Sequence, residues 1–584
     1  MRPSAAPALP MSLSRALFPM LFLPFWLISH GAQAGTPSSA AASYETVQQM
    51  RAEARSMAGT GAADADLERA VTHLESALAY LAQPDIRDLS SGNLSLYLRG
   101  YDVRRELAAL YARRGMRDQA LATLEQAQRF VWLPAFAAAL AGDAAFASIK
   151  DDPRFQAILA TATVPTRLWD GPAIGAPYRQ QLSVEQRVAG LSLFWAEARE
   201  HFVHFSRVPQ MNWDQLYLDY LSQVIAAEST RDYYRHMMRL AALLQDGHTD
   251  VAPPPELANE FFARPPIETT VVQEKILIAA VASPALATRI RVGDEIVAID
   301  GVPVRQYAEQ RVAPFVSAST PQDHSARMFG RQLLQGSAAE ALTLRLRSAG
   351  GAERNETVAR AGHGDVVVRP GFQFQVLPGG IAYLSLDHFE SDAGLQALER
   401  ALPRIFAAKS LIIDIRNNGG GDARVGLDIL SYLSKEPIAG AISYQRAGEA
   451  ILRAQGYPAV NWAPLAGNGQ TYSRQRQRVF SGPVAILAGP RTLSAAEDFL
   501  LAFELMQRGT IIGQTTGGST GMPMVFKLPG GGQARICIKL DLYPDGRDLV
   551  GKGIAPQIAV QPSLDEFRAG RDVALERAIA LLKK

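Results

Sequence analysis

Cysteine and net charge are the two things this chain of 584 residues has least of: one cysteine, Cys537, and a formal charge of +2. A single thiol excludes an intramolecular disulfide and any cysteine-rich metal site. Stability must therefore come from hydrophobic cores, and the 48% hydrophobic content is enough for three or more domains. The small charge provides no electrostatic footprint for nucleic acid. We expect no metal, no cofactor and no nucleic-acid partner.

Long hydrophobic runs are also scarce, and the one that stands out lies near the N-terminus. Arg15 precedes an apolar run over residues 16–28, which is short for a membrane-spanning helix, and small residues ending at Ala34 suit a cleavage site. These features predict a secretory signal over residues 1–34. We therefore expect a periplasmic or secreted protein whose mature chain begins at Gly35 and has no membrane span.

Residues 41–162 are rich in alanine and show a helical pattern. Two amphipathic segments, 101–115 and 116–127, are separated by a glycine turn, with Ala120 and Ala127 at positions where helices pack closely. This pair resembles a tetratricopeptide (TPR) repeat, and the resemblance implies a surface for a protein partner. A plain helical bundle that packs on the rest of the chain is the alternative.

Apart from a β-rich segment over residues 265–360, the chain after residue 162 divides into three parts. Residues 166–258 are again helical, and residues 365–565 alternate between strands and helices, which indicates an α/β core. Residues 566–584 are the C-terminal part of the chain, and a last helix is predicted there from Leu564 to Leu582. The polar segment 445–477 is irregular enough to form a lid over a cleft.

Ser494 stands where an apolar strand, residues 484–487, runs through a short turn into a helix beginning at Ala495. That placement exposes the hydroxyl beside free helix amides, which can bind developing negative charge. Ser494 is therefore a candidate nucleophile. The alternative is a helix capping box, in which Ser494 and Glu497 satisfy each other's backbone amides.

A second candidate feature is the glycine-rich end of another apolar strand. Residues 411–416 lead into Asn417-Asn418-Gly419-Gly420-Gly421, where the backbone can approach a ligand closely. A phosphate-binding loop would end in Lys followed by Ser or Thr, and this segment does not. The segment is thus a candidate source of a second amide for an oxyanion.

The candidate base lies in the run Asp246-Gly247-His248-Thr249. Histidine suits general base catalysis because its unperturbed pKa is close to the working pH. A histidine that merely follows an amphipathic helix in a loop is the alternative for any one histidine considered alone.

Together, these three segments resemble those of peptidase family S41, which includes the tail-specific and tricorn-like serine proteases. The resemblance implies a ClpP/crotonase-like α/β protease core that hydrolyses polypeptides through an acyl-enzyme. Ser494 would be the nucleophile and His248 the base, and the amides of Gly420 and Ala495 would form the oxyanion hole. Glu497 matches a family glutamate one helical turn beyond the nucleophile, so we expect it to support the site.

The chain departs from both branches of the family. In the tail-specific branch a lysine after the serine acts as base, but Ser519 occupies that position and cannot do so. In the tricorn-like branch a serine precedes the histidine and a late glutamate follows, where this chain has Gly247 and Val550. Lys552 is interpreted as structural. The residue that orients His248 remains open among four acids, with Asp548 as a supporting candidate: Asp246, Asp250, Asp545 and Asp548.

The segment 265–360 carries two further turn signals, Gly293-Asp294 and Asp300-Gly301, around an apolar run. It resembles a PDZ domain, which implies binding of an extended peptide at a sheet edge with the peptide's C-terminal carboxylate held by backbone amides. Residues 277–281 are the predicted binding-side strand. A module that only packs against the protease is the alternative.

The sequence thus predicts a multidomain α/β protein that acts as an exported serine endopeptidase on polypeptide substrates. Two alternatives stay open. The residues at positions 519 and 550 motivate a catalytically inactive peptide-binding protein, and the TPR-like and PDZ-like regions motivate a scaffold that recruits partners.

Overall fold

The computed structural model describes residues 40–59, 61–91, 93–130, 134–160, 171–364, 371–390, 392–447, 449–457, 461–465, 471–474 and 476–583. The predicted signal, residues 1–34, lies outside them. Among the described residues, no helix is both long enough and apolar enough to cross a membrane.

The N-terminal region is helical, as its alanine-rich pattern predicts. Alanines such as Ala70, Ala108 and Ala120 are fully buried, and their small side chains let neighbouring helices approach closely. The assignment to TPR repeats stays a prediction. The helices are α1 Ala40–Met57, α2 Asp64–Leu81, α3 Pro84–Ser91, α4 Leu94–Arg113, α5 Arg117–Phe130, α6 Pro134–Ala141 and α7 Pro153–Ala160.

A second helical layer leads to the candidate base. Its core is aromatic, and the buried Tyr234 donates from its hydroxyl to the carbonyl of Pro529 at 2.7 Å, which joins the layer to a segment almost 300 residues later. The layer ends in a short strand and a one-turn helix before the β-rich segment. Its elements are α8 Val184–His201, α9 Trp213–Ala226, α10 Thr230–Ala242, β1 Asp250–Ala252 and α11 Ala258–Phe261.

The central segment forms a six-stranded antiparallel sheet in the order β2-β3-β4-β6-β7, with β5 paired to β4. The predicted Asp300-Gly301 turn joins β4 to β5, and both residues have the positive φ, 49° and 81°, that a two-residue hairpin turn requires. The elements are β2 Ile267–Val272, β3 Lys275–Val281, α12 Pro284–Ala287, β4 Glu295–Ile299, β5 Val302–Pro303, α13 Val304–Arg311, α14 Pro321–Arg327, β6 Leu342–Arg347 and β7 Glu353–Val358.

The prediction that residues 277–281 add a peptide along their length is wrong. These residues belong to β3, which pairs with β2 on one side and with β4 on the other, where Leu277 lies opposite Glu295. Ile278 also exchanges backbone hydrogen bonds with Gly293 and Asp294. Backbone groups that are already paired are not available to a peptide strand.

The α/β core contains a second six-stranded sheet in the order β18-β14-β13-β10-β9-β8, parallel except for β8. Every residue of β10 and β13 is buried. Helices α15, α16 and α18 cover one face and α20 covers the other, the arrangement expected for buried parallel strands. The elements up to the nucleophile helix are β8 Phe372–Leu377, β9 Ile381–Leu386, α15 Asp392–Ala407, β10 Ser410–Asp414, α16 Ala423–Leu430, β11 Ile442–Arg446, α17 Glu449–Ala454, β12 Trp462–Pro464, β13 Val484–Ala488 and α18 Ala495–Met506.

The predicted C-terminal helix is divided in the structure. Residues 564–582 form two helices, interrupted by Gly570, whose φ is +70°. Before them, β16 and β17 follow each other closely in the chain but lie in different sheets. The described part of segment 445–477 contains α17 and β12 with the end of β11. The remaining elements are β14 Thr510–Gly513, β15 Pro523–Lys527, β16 Gln533–Cys537, β17 Leu540–Leu542, β18 Ile558–Ala559, α19 Leu564–Arg568 and α20 Val573–Leu582.

The sheet register positions the site. In the parallel pair β10 and β13, Asp414 lies opposite Leu487, so the two strands end together. The turns that follow them, the glycine-rich segment and the turn to Ser494, therefore meet at the carboxyl edge of the sheet, where open α/β sheets bind their ligands.

Candidate active site

Ser494 has an unusual backbone conformation, with φ 58° and ψ −131°. Positive φ is uncommon for a residue with a side chain, and such strain persists only where the surroundings impose it. The side chain is half-buried and makes no capping bond to helix α18, so the capping-box alternative is wrong. The hydroxyl is left for another partner.

Three neighbours hold the serine turn in place. The N–H of Ser494 donates to the carbonyl of Ser519 at 2.8 Å, and the N–H of Leu493 donates to the carbonyl of Asn418 at 3.0 Å. Gly420 has φ +101°, and a Cβ there would lie 2.5 Å from the Cβ of Ser494. Only glycine permits this approach.

Asn418 is a site residue that the sequence analysis quoted without giving it a role. It is fully buried, and its side-chain amide donates to the carbonyl of Leu386 at 3.1 Å. Its Oδ1 accepts the N–H of Gly420 at 2.9 Å. An asparagine at the end of a strand, before glycines, is the available signal, because its side chain closes such turns.

The oxyanion hole differs from the prediction in one of its two amides. The N–H of Ala495 has no acceptor among the described residues, as expected for the first residue of a helix. The N–H of Gly420 is instead used by Asn418. In this conformation Ala495 is thus the predicted donor that is available, while Gly420 supplies close packing rather than an amide.

His248 lies beside the serine, with its Nε2 2.9 Å from Ser494 Oγ. Its loop is placed by β1, which pairs with β16 so that Asp250 lies opposite Arg535. Burial lowers the pKa of His248 to about 4; Asp246 opposes this effect, and the positive charges of Arg535 and Arg327 add to it. The imidazole is therefore neutral at pH 7 and can accept a proton.

Asp246 fixes the backbone of the loop rather than the orientation of the imidazole ring. Its buried carboxylate accepts from the backbone N–H of His248 at 3.2 Å, the hydroxyl of Thr249 at 2.7 Å and the hydroxyl of Ser319 at 3.1 Å. These bonds fix the path of the backbone through the histidine. The carboxylate has no hydrogen bond to either ring nitrogen.

The other ring nitrogen of His248, Nδ1, lies 2.9 Å from Ser519 Oγ. Among the described residues, no carboxylate is hydrogen-bonded to the ring. The three other candidate acids are each held by a basic partner: Asp250 by Arg535 at 2.6 Å, Asp545 by Arg547 at 2.7 Å and Asp548 by Lys552 at 3.1 Å.

Asp548 and Lys552 both lie at the surface, with side chains 59% and 67% exposed. The prediction that Asp548 supports the site is therefore wrong, because its carboxylate is engaged with Lys552. Val550, which fills the position of the family glutamate, is buried.

Glu497 supports the site in a different way from a cap. It is fully buried and accepts from the N–H groups of Gly518 and Ser519, each at 2.8 Å, and from the hydroxyl of Thr516. Burial raises its pKa to about 7, although these donors favour the ionised form. The carboxylate thus holds the loop that carries Ser519.

One group among the described residues has the composition of a metal site: His204, Asp246 and Cys537, whose ligand atoms lie within 4.8 Å of one another. Both oxygens of Asp246 already accept hydrogen bonds, and the thiol of Cys537 donates to the carbonyl of Lys539 at 3.4 Å. We interpret the group as a buried hydrogen-bond network.

The arrangement combines a half-buried hydroxyl, a neutral imidazole and a free helix amide. Such a set can transfer an acyl group: the imidazole removes the hydroxyl proton, and the amide stabilises the oxyanion.

Comparison with known proteins agrees with this chemistry, because it gives a family of serine peptidases. Residues 380–560 match the model of Peptidase family S41. A carboxyl-terminal-processing protease of Picosynechococcus sp. is 22% identical over 315 residues, which are 53% of this chain and 66% of that protein. A carboxyl-terminal-processing protease of Synechocystis sp. is 25% identical over 212 residues, 35% of this chain and 44% of that protein.

Among solved structures, mature CPAF superposes with a TM-score of 0.55 at 16% identity, over 68% of this chain and 98% of that one. At this identity the likeness shows a shared fold. Residues 380–560 thus carry a domain that matches peptidase family S41. It spans 66% and 44% of the lengths of the two curated relatives.

Proposed function

We propose that this protein is a serine endopeptidase that hydrolyses polypeptides through an acyl-enzyme, with Ser494 as nucleophile and His248 as general base. The observation that carries the proposal is the 2.9 Å separation of His248 Nε2 and Ser494 Oγ. The strained backbone of Ser494 and the S41 domain support it. The names of the two curated relatives support polypeptide substrates.

The reaction follows from these positions. As Ser494 Oγ attacks the scissile carbonyl, its proton passes to His248 Nε2, and the oxyanion develops beside the N–H of Ala495. Collapse of the intermediate transfers that proton to the leaving amine. A water molecule, deprotonated by the same imidazole, then attacks the acyl carbon. The bond to Ser494 Oγ breaks as the imidazolium returns the proton to that oxygen.

The test is labelling of the purified protein with a fluorophosphonate probe, followed by mapping of the modified residue. We expect the label on Ser494, and we expect Ser494→Ala to lose labelling and nearly all peptidase activity while keeping its thermal unfolding midpoint. Activity retained in Ser494→Ala would overturn the assignment. A label on Ser519 would move the nucleophile to that residue.

A catalytically inactive peptide-binding protein is the second candidate, because Ser519 and Val550 replace residues used in the two branches of the family. The contact between His248 and Ser494 argues against it, since a binding protein needs no such pair. Tight peptide binding without turnover or labelling would favour it.

The PDZ-like module, residues 265–360, is proposed to select substrates by their C-termini. The Asp300-Gly301 hairpin supports the module, although β3 is not the strand that would receive a peptide. One substrate is compared with a free and with an amidated C-terminus. Equal cleavage of both, with no binding of tail peptides to the full-length Ser494→Ala protein, would leave the module a packing role.

We also propose export through the signal at residues 1–34 and recruitment of a protein partner by the TPR-like region. N-terminal sequencing of the secreted protein should begin at Gly35. Deletion of residues 41–162 that leaves turnover unchanged would argue against a scaffold as the main function.

A further inference from the structure

We propose that Ser519 is the positioning residue for His248: a neutral hydroxyl, in place of a carboxylate, sets the tautomer and orientation of the imidazole. The inference rests on the proposed function, because it assigns the missing third member of the catalytic set. It makes Ser519 the partner of Nδ1 and Ser494 the partner of Nε2.

Ser519 contacts both catalytic residues at once. Its hydroxyl oxygen lies 2.9 Å from His248 Nδ1, and its carbonyl accepts the N–H of Ser494 at 2.8 Å. The residue is fully buried. One residue therefore fixes the backbone of the nucleophile and the ring of the base relative to each other.

The hydroxyl occupies space that a side chain at position 247 would need. A Cβ on Gly247 would lie 2.6 Å from Ser519 Oγ, 2.9 Å from a terminal guanidinium nitrogen of Arg327 and 3.1 Å from Ser519 Cβ. A side chain at position 247 would therefore compete for space with the hydroxyl of Ser519 and with the end of the Arg327 side chain. This packing links the two positions, although they are 272 residues apart in the chain.

The loop that carries Ser519 is held from behind. Glu497 accepts the N–H of Ser519 and the N–H of Gly518, each at 2.8 Å, and Thr320 donates from its hydroxyl to the carbonyl of Gly517 at 2.7 Å. These bonds use the backbone of the loop, so they survive replacement of the Ser519 side chain. A Ser519→Ala variant therefore removes one contact without releasing the loop.

The chemical role follows from the two nitrogens. If Ser519 Oγ accepts from Nδ1–H, the lone pair of Nε2 points to Ser494 and the ring is ready to take its proton. The same bond strengthens when the ring becomes imidazolium, since charged donors make stronger hydrogen bonds. Because Ser519 is neutral, it stabilises the imidazolium less than a carboxylate would.

The experiment compares Ser519→Ala with the wild-type enzyme in kcat, KM and the pH profile. We expect kcat to fall by about 10- to 100-fold with KM nearly unchanged, since the contact concerns the base and not the substrate. We also expect the acidic limb of kcat/KM to move to lower pH, because removing an acceptor of the imidazolium proton lowers the pKa of His248.

Thr520→Val is the matched control. Thr520 is equally buried, adjacent in the chain and hydrogen-bonded to Asp498 at 2.9 Å, and its hydroxyl makes no hydrogen bond to the imidazole ring. The acidic limb of kcat/KM in Thr520→Val should stay at the wild-type position. The second variant is Gly247→Ser combined with Ser519→Ala, which offers a hydroxyl beside the space left by the Ser519 hydroxyl. Its Cβ requires the flexible end of the Arg327 side chain to shift, and the variant should recover part of the lost kcat.

Two results would overturn the proposal. One is a Ser519→Ala enzyme with wild-type kcat and acidic limb. The other is a lower kcat with an unmoved acidic limb and no recovery in the double variant, which would make Ser519 a packing residue. Fluorophosphonate labelling of Ser494 in the wild-type protein separates these results from failure of the proposed function, since that failure would abolish labelling as well.

The tautomer is also measurable without turnover. In a Ser494→Ala background, ¹⁵N chemical shifts of His248 should indicate a proton on Nδ1. The additional change Ser519→Ala should shift the ring toward a mixture of tautomers. A ring that is unchanged by the loss of the Ser519 hydroxyl would contradict the proposal.

Discussion

The candidate nucleophile and its base come from two regions that are built differently. Ser494 follows β13, a strand buried on both faces and paired in parallel with β10. His248 lies in a loop between α10 and β1, and hydrogen bonds that the carboxylate of Asp246 accepts hold that loop. The first region is fixed by core packing, and the second by polar contacts.

This difference separates two kinds of robustness. A slip in the register of β10 and β13 would carry each apolar side chain to the opposite, differently packed face of the sheet, so the serine turn keeps its place. The base depends on contacts with segments far along the chain, such as Arg535 and Ser519. We therefore expect changes among the contacts around the base, other than at His248 itself, to tune activity, and changes that distort the serine turn to lower it more strongly.

The largest effect should come from the residue that joins the two regions. His248→Ala should lower kcat/KM by about 10³-fold or more, since general base catalysis is removed. Lys552→Ala is the control, because its side chain pairs with Asp548 at the surface, and it should keep most activity. Steady-state kinetics on a peptide substrate measure both. An inactive Lys552→Ala with an active His248→Ala would indicate a lysine mechanism.

A glycine pair tests the serine side. Gly420→Ala should lower kcat by about 10²-fold or more, because its Cβ would lie 2.5 Å from that of Ser494 and its φ is +101°. Gly419→Ala is the matched control, since a Cβ there meets nothing within 4 Å. Activity and fluorophosphonate labelling should both separate the two variants. Equal losses in both would show that the close approach at Gly420 is unimportant.

The sequence predicts the serine side better than the base side, for a physical reason. An apolar strand, a turn and a helix are local signals, so Ser494 and Ala495 can be positioned from a short segment. The role of Ser519 depends on a loop folding back against His248, and no spacing rule encodes that contact. The same limit applies to Asp548, whose sequence neighbourhood resembles a catalytic motif but whose carboxylate lies at the surface.

Glu497, on the helix that follows Ser494, holds the loop that carries Ser519, and its burial can be tested. Burial raises the pKa of Glu497 to about 7. Between the usual carboxyl pKa and that value the folded state holds a proton that the unfolded chain releases, so stability falls as pH rises. Relative to Glu497→Gln, the wild-type free energy of unfolding should decrease by on the order of 3 kcal/mol from about pH 4 to 8. Urea unfolding at several pH values measures this. A constant difference would mean that folding does not shift the pKa of Glu497.

The smallest expected effect concerns the charges that face the base. Arg535 pairs with Asp250 at 2.6 Å and lowers the pKa of His248, as does Arg327, whereas Asp246 raises it. In Arg535→Gln the imidazolium loses a repulsive neighbour and Asp250 loses its partner, so the pKa of His248 rises. The acidic limb of kcat/KM should then move to higher pH by up to about one unit, with activity at pH 8 changed only a few-fold.

Arg547→Gln provides the comparison for that shift. Its guanidinium pairs with Asp545 at 2.7 Å on the surface and does not act on His248, so its limb should coincide with that of the wild type. Together the two arginines distinguish a local charge effect from a general loss of positive charge. If both variants moved the limb equally, the pKa of His248 would be set by net charge, and the polar contacts around its loop would only hold it in place.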